Sequence, residues 1–580
     1  MPKTEFNFPL DGSPWFGLDG ADPASVITAN DFKVVFSLVN GSWKSFDPSS
    51  SFNGLATLRK YSPVIAKASD SASFPIELAE ESISGVLLGN TYYVANVPGA
   101  GGNGLSPANA FSVSEFEAFL TNTGLKETNS QPDTVLFRGG DTLQLAGKIG
   151  IHSGTSADTG TKPYIFGSYG NGRAKLVFGN NLGFDVYNRS ARVENLDIIS
   201  GSTNFHGIQI YSNLTNADIT AKVLNCSVKG FDRPVSIGSG SSSTVNIDAE
   251  VIGVRCSAHK RDILIYSSND AHRGHKAIVR NCHVEPQEGN GIVVGNATGV
   301  LIDNCTFSGH NSSLVTSQAD NAFWLYRCND GIISNCTVTG ARGNLSDTDC
   351  GAYDIDITCT NCAIINNIAV DCYGYGALII GGSGHKVIGN IFINCCTQDV
   401  TGSDAYIKVY GSDSSAGIVP VLDCEVAFNT IIMPASTIPG AAGIEVGNSA
   451  NTGDIRNNVI YTVANHVVLR VVGNNTSNMR INDNLYFSSS GNPVFNRNGS
   501  SLNGLANFRA GNHERRNAAN TGIQADPLFI GANASFKSIW QYRPLAGSPL
   551  LDAVTVAGNN EPFDLYGNAY SSNIGAYQGA

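Results

Sequence analysis

From about residue 190 to 490, short runs of β-branched and aromatic residues alternate with Gly, Asn, Ser and Asp, and no apolar stripe of helical period interrupts them. The runs fall into a recurring frame: Leu224-Asn225-Cys226-Ser227-Val228, Arg280-Asn281-Cys282-His283-Val284, Asp303-Asn304-Cys305-Thr306-Phe307 and Ser334-Asn335-Cys336-Thr337-Val338. The frame continues with other residues in place of Cys, and its second position is placed at 195, 226, 256, 282, 305, 336, 367, 390, 430, 458 and 484. Steps of about 23 to 40 residues mark a solenoid. A second run lies between successive frames, as in Gly207-Ile208-Gln209-Ile210, Gly291-Ile292-Val293-Val294 and Ala352-Tyr353-Asp354-Ile355. Each coil therefore holds at least two strands. A coil cannot bury its apolar face alone, and stacking makes the core, so the expected fold is all-β: a right-handed, single-stranded parallel β-helix. Propeller blades are longer and more even than these repeats.

The repeat merges much of the 580-residue chain into one elongated unit. Residues 1–88 lack the frame, carry Trp15 and Trp43, and are expected to form a separate module. Residues 89–125 hold an entry strand and a short amphipathic helix, begun near Ser112 or Ser114, that would cover the open end of the solenoid. The helix proper is placed at 126–490, and 491–580 form a closing segment.

Charged residues are 14% of the chain and its net charge of −12 is spread without runs, which argues against a nucleic-acid partner. All 13 Cys fall between 226 and 424, several at the frame's second position, where a thiol packs as a small hydrophobe. Reduced core thiols and the absence of a basic-then-apolar start point to assembly in a cytoplasm. No stretch is long enough to span a bilayer, and none is expected to insert. Cys359-Thr360-Asn361-Cys362 has metal-ligand spacing but no second pair, so no metal site is assigned there. The glycine run Gly99–Gly104 does not open into a helix as a dinucleotide loop must. His272-Arg273-Gly274-His275 is read as a solvated basic loop.

Chemistry on a β-helix needs outward polar side chains clustered on adjacent coils. In Gly351-Ala352-Tyr353-Asp354-Ile355-Asp356-Ile357, alternation buries Tyr353, Ile355 and Ile357 and turns both carboxylates outward, with Cα atoms about 7 Å apart. Carboxyl separations of roughly 5 to 9 Å suit a glycosidase pair of either stereochemistry. One coil earlier come Trp324 and Tyr326, whose flat faces suit a sugar ring; later come Lys408, Tyr410 and Glu445. Asp354 and Asp356 are thus the candidate catalytic residues, with Trp324, Tyr326, Lys408, Tyr410 and Glu445 as substrate-binding candidates. Hydrolysis needs no cofactor. The alternative is β-elimination, with Ca²⁺ held by Asp354, Asp356 and Asp347 or Asp349, and Lys408 as base. A third reading makes the groove a binding surface without catalysis.

Several phrases carry a resemblance: Tyr93-Val94-Ala95-Asn96 with Gly104-Leu105-Ser106-Pro107-Ala108, Gly140-Asp141-Thr142, Gly167-Ser168-Tyr169-Gly170, Asp526-Pro527-Leu528-Phe529, Gly547-Ser548-Pro549-Leu550-Leu551-Asp552 and Asn573-Ile574-Gly575-Ala576-Tyr577. With them, residues from about 92 to 580 resemble the pectin-lyase-like right-handed β-helix superfamily, which includes polysaccharide lyases, glycoside hydrolases, epimerases and bacteriophage tailspikes. An extra N-terminal module without an export signal is most similar to a tailspike. That resemblance implies a homotrimer in the phage virion, joined to tail or baseplate proteins through residues 1–88, which depolymerises a bacterial surface polysaccharide during host attachment.

Overall fold

A computed structural model describes residues 89–577 with interruptions, the longest at 153–161, 310–319, 344–349, 532–538, 552–563 and 565–572; within 1–88 only the strands are described. The chain divides into two units. The first, Met1–Thr91 with Tyr169–Gly172, contains a four-stranded antiparallel sheet of Trp15–Leu18, Ser62–Ala68, Phe32–Val39 and Ser42–Phe46, and a separate pairing of Thr4–Asn7 with Ser73–Ile76.

The second unit is the right-handed parallel β-helix. Three sheets of fourteen strands run its length, and each coil contributes one strand to each in turn. The first sheet runs from Thr91–Val94 to Asn478–Asn482, and the second from Thr142–Leu145 to Ile523–Gln524. The third runs from Ile149–His152 through Val494–Arg497 and ends on the antiparallel Ser500–Asn503. Inward Val, Ile, Leu and Phe stack in columns and form one continuous core. The helix Val113–Asn122 starts at Ser112, whose hydroxyl accepts from the Glu115 amide while Glu115 accepts from the Ser112 amide. Its Phe116 is buried edge-on against Phe137, 5.8 Å away, in the first coils.

Between the first and second sheets the backbone turns through one left-handed residue. Asn195, Asn225, Asn281, Asn304, Asn335, Asn366 and Asn457 all have φ between 51° and 56° there, a region Asn tolerates better than branched residues. The Asn of each Asn-Cys pair thus makes the turn, and the residue after it points inward.

Strand register identifies those inward rungs as Leu196, Cys226, Val254, Cys282, Cys305, Cys336, Asn367, Asn390, Asn429, Asn458 and Asn484. Three positions expected from the sequence are corrected. Asn195 is the left-handed turn residue, Cys256 lies two places beyond its rung, and Thr430 is one beyond. The asparagine rungs form a bonded ladder: Asn367, Asn390, Asn429 and Asn458 each donate from backbone amide and Nδ2 to the Oδ1 of the next, at 2.8–3.1 Å. Each Nδ2 also donates to a carbonyl of the preceding coil, as Asn429 does to Val387 at 2.8 Å. Where Cys replaces Asn the thiol points at the equivalent carbonyl, Cys336 to Ile302 and Cys305 to Val279. All thirteen thiols are buried and unbridged. Desolvation pushes Cys226 up to about 12.

The ladder ends at Asn484. The next rung is Gly522, and a Cβ there would lie 2.5 Å from Oε2 of Glu514. That carboxylate fills the missing rung, accepting from Asn484 Nδ2 and from the Tyr486 hydroxyl, each at 2.6 Å.

Candidate functional site

The third sheet presents two outward rows. Register aligns Val293, Trp324, Asp354, Leu378, Lys408, Glu445 and Arg470 in one. Two places along each strand, Tyr187, Tyr211, Gly238, Tyr266, Gly295 and Tyr326 form the other. The Asp356 amide donates to Leu325 O at 2.9 Å, which carries the second row on to Asp356. Trp324, Tyr326, Asp354 and Asp356 therefore share one face, while Lys408 stands two coils beyond Asp354 and Glu445 three.

The two carboxylates differ in environment. Asp354 faces away from the main core yet is 0% exposed. Its Oδ2 accepts from Asn321 Nδ2 at 2.8 Å, and Asn321 Oδ1 accepts from the Tyr375 hydroxyl. Gly351 permits this: a Cβ there would fall 2.2 Å from the Tyr375 ring, so only glycine lets that ring lie across the strand. The expectation of two solvent-facing carboxylates is corrected here, because Tyr375, Leu378 and Ile380 form a second apolar cluster outside the core, over this part of the sheet. Ile357, expected inside, packs on that outer cluster, since the strand Cys350–Ile355 has ended and Thr358 turns with φ 57°.

Asp356 keeps 8% exposure. Its Oδ2 accepts from the indole Nε1 of Trp324 at 3.1 Å and its Oδ1 from the Ile357 amide at 2.6 Å. Burial raises its pKa from the ordinary aspartate value, against the opposing pull of those two donors and of Arg327. Trp324 and Tyr326 meet edge to face at 5.9 Å. Arg327 lies 4.9 Å over the Tyr326 ring and is ion-paired with Asp270.

Lys408 and Glu445 belong to a different cluster. Lys408 Nζ is 3.2 Å from Asp404 and 3.6 Å from Glu445, and lies 5.4 Å from the Tyr410 ring centre. Arg470 bonds Glu445 at 2.6 Å, Asp404, and the Gly440 carbonyl. These side chains neutralise one another, with both cations mostly covered. Asp347 and Asp349 lie outside the described residues, and among the described residues no three His, Cys, Asp or Glu converge as a metal site. The basic-loop reading of 272–275 is corrected as well: His275 is 0% exposed, 3.2 Å from the Ser239 hydroxyl, and desolvation pushes its pKa down to about 4.

Sequence reasoning missed Asn321, Tyr375 and the tyrosine row. The row was detectable, because Phe184-Asp185-Val186-Tyr187, Ile208-Gln209-Ile210-Tyr211, Ile263-Leu264-Ile265-Tyr266 and Phe323-Trp324-Leu325-Tyr326 repeat one phrase. Asn321 and Tyr375 sit 54 residues apart and only the coil register joins them.

A family model described as "Right handed beta helix region" matches residues 243–431. No curated protein matches the chain. Similar solved structures include a GH136 lacto-N-biosidase from Eubacterium ramulus, 14% identical over 70% of this chain and 67% of that one, with TM-score 0.40. An alginate lyase from Paenibacillus sp. str. FPU-7 is 12% identical over 71% of this chain and 96% of that one, with TM-score 0.27. Pectate lyase Pel9A is 13% identical over 84% and 96%, with TM-score 0.28. Likenesses this distant carry no argument about chemistry.

Proposed function

We propose that this protein binds a bacterial surface polysaccharide along the outward face of its third sheet and hydrolyses it, with Asp356 as the acid that protonates the departing glycosidic oxygen. The arrangement of Asp356 carries this reading: a carboxyl in a mostly apolar setting, hydrogen-bonded by the Trp324 indole, at the end of a row of aromatic rings. Glycoside cleavage needs an acid that still holds its proton near neutral pH, and burial moves Asp356 in that direction. Trp324 orients the carboxyl through its N–H, and the rings beside it offer apolar faces to sugar. Burial removes Asp354 from the role of base in this conformation, so we assign it to positioning, through Asn321 and Tyr375.

The wider setting we propose is a bacteriophage tailspike, a homotrimer acting at the host surface and joined to the tail through its N-terminal module. The terminal phrases and the separate antiparallel unit support that setting. A second reading, a receptor-binding spike without catalysis, is favoured by the burial of Asp354, which withdraws the second carboxylate of the expected pair. Elimination by Lys408 is disfavoured, because its ammonium is bound between Asp404 and Glu445. Incubation with purified host polysaccharide, followed by mass analysis, separates the three. Saturated fragments with new reducing ends mark hydrolysis, unsaturated ends mark elimination, and intact but bound polymer marks recognition alone.

A further inference from the structure

We propose that Tyr187, Tyr211 and Tyr266 are sugar-stacking positions that hold the larger part of a bound glycan on the N-terminal side of Asp356, an inference that rests on the glycan-binding reading above. The register places the three in line with Tyr326 across successive coils. Five strand steps separate Tyr187 from Tyr326, about 24 Å at roughly 4.8 Å per step, a length that accommodates several sugar rings. All four tyrosines are half-buried and keep some surface in solvent.

The rings are fixed in place. Tyr187 and Tyr211 are stacked at 6.0 Å with an interplanar angle of 19°, and Asn213 Nδ2 donates to the Tyr187 hydroxyl at 2.5 Å. Glycine separates the rings further along: a Cβ at Gly295 would meet the Tyr266 ring at 2.4 Å, so that ring lies over the position where the next coil has no side chain. The part of each ring left in solvent is apolar with a polar hydroxyl at its rim, the kind of surface a pyranose packs against. Past Asp356 the surface changes. Ile380 and Tyr410 take up the row, and Ile380 is buried in the outer cluster with Tyr375 and Leu378. Three of the row's tyrosines besides Tyr326 thus lie on the N-terminal side of the acid, against the half-buried Tyr410 beyond the cluster.

A tyrosine row can also serve only to stack one coil on the next, and the test separates the two roles. Immobilised capsular and O-antigen polysaccharides are probed with the full-length protein. The glycan that binds is cut by mild acid into fragments of graded length, and the affinity of each fragment is measured. Affinity should climb with length until the fragment fills the platform. Tyr187→Ala and Tyr211→Ala should each weaken long fragments roughly three- to tenfold and leave the shortest bound fragment unchanged. Tyr211→Phe, which keeps the ring, should bind as the wild type. If both alanine variants fold and bind long fragments with wild-type affinity, the platform is refuted. Cleavage is scored in parallel with Asp356→Asn: continued hydrolysis by that variant overturns the role of Asp356 and leaves the platform standing. Failure to bind any polysaccharide overturns both.

Discussion

Glu514→Gln should abolish a pH dependence that the wild type shows at the C-terminal end of the helix. Glu514 is completely buried and its pKa is pushed up to about 7 by desolvation, which outweighs its bonds from Tyr486 and Asn484. The charged groups around it are Asp483, paired with Arg516 at 3.2 Å, and Arg509, whose guanidinium is taken by the carbonyls of Thr521 and Gly522. The adjoining His513 is held neutral, its pKa pushed down to about 4. Because the folded pKa lies above the unfolded one, the folded state binds the proton more tightly, and stability falls as pH rises between about 4.5 and 7. From pH 5 to pH 8 the shift amounts to about 2.5 kcal/mol, close to two decades in an opening equilibrium. Hydrogen exchange of peptides spanning Leu505 to Gln524, corrected for intrinsic rates, reads that opening directly. Protection should drop by up to about a hundredfold across this range in the wild type and stay level in Glu514→Gln. Equal protection at both pH values in the wild type, or a slope that survives in the variant, would refute the assignment of Glu514 as the titrating cap of the ladder.

Asn429→Ala removes a buried rung that accepts two bonds from Asn390 and donates to Val387 and Asn458, and should cost about 3 to 5 kcal/mol, measured as a lowered denaturation midpoint. The thirteen cysteines should resist iodoacetamide at pH 8 in the native protein and react fully in denaturant; rapid labelling of Cys226 in the folded state would contradict its burial and raised pKa. Gly295→Ala should leave secondary structure intact while displacing the Tyr266 ring, visible as weaker glycan binding with an unchanged circular dichroism spectrum.

The solenoid was legible because its cause is local: a left-handed turn followed by an inward rung recurs from coil to coil, and Asn makes that turn in seven of the eleven. Slips occurred where a coil lacks the pair. At 256 the turn residue is Gly253 and the rung is Val254, neither of which matches Asn-Cys, and at 430 the turn is made by Phe428. Alternation correctly placed Tyr353 and Ile355 inside and aligned Trp324 with Asp354. It gave no warning that outward positions could be covered. The roof over Asp354 is built by Leu378 and Ile380 of the next coil and by Tyr375, so its burial depends on neighbours that strand periodicity does not see. Lys408 and Glu445 fell in the right row, but Asp404, which pairs with Lys408, and Arg470, which pairs with Glu445 and Asp404, come from a loop and from the coil beyond.

The central claim is that Asp356 donates the proton for glycan cleavage. The most direct measurement is the release of reducing ends from the polysaccharide the protein binds, by wild type and by Asp356→Asn, alongside binding affinity. A loss of at least a hundredfold in cleavage with affinity unchanged is the predicted result. Cleavage by Asp356→Asn at the wild-type rate would contradict it.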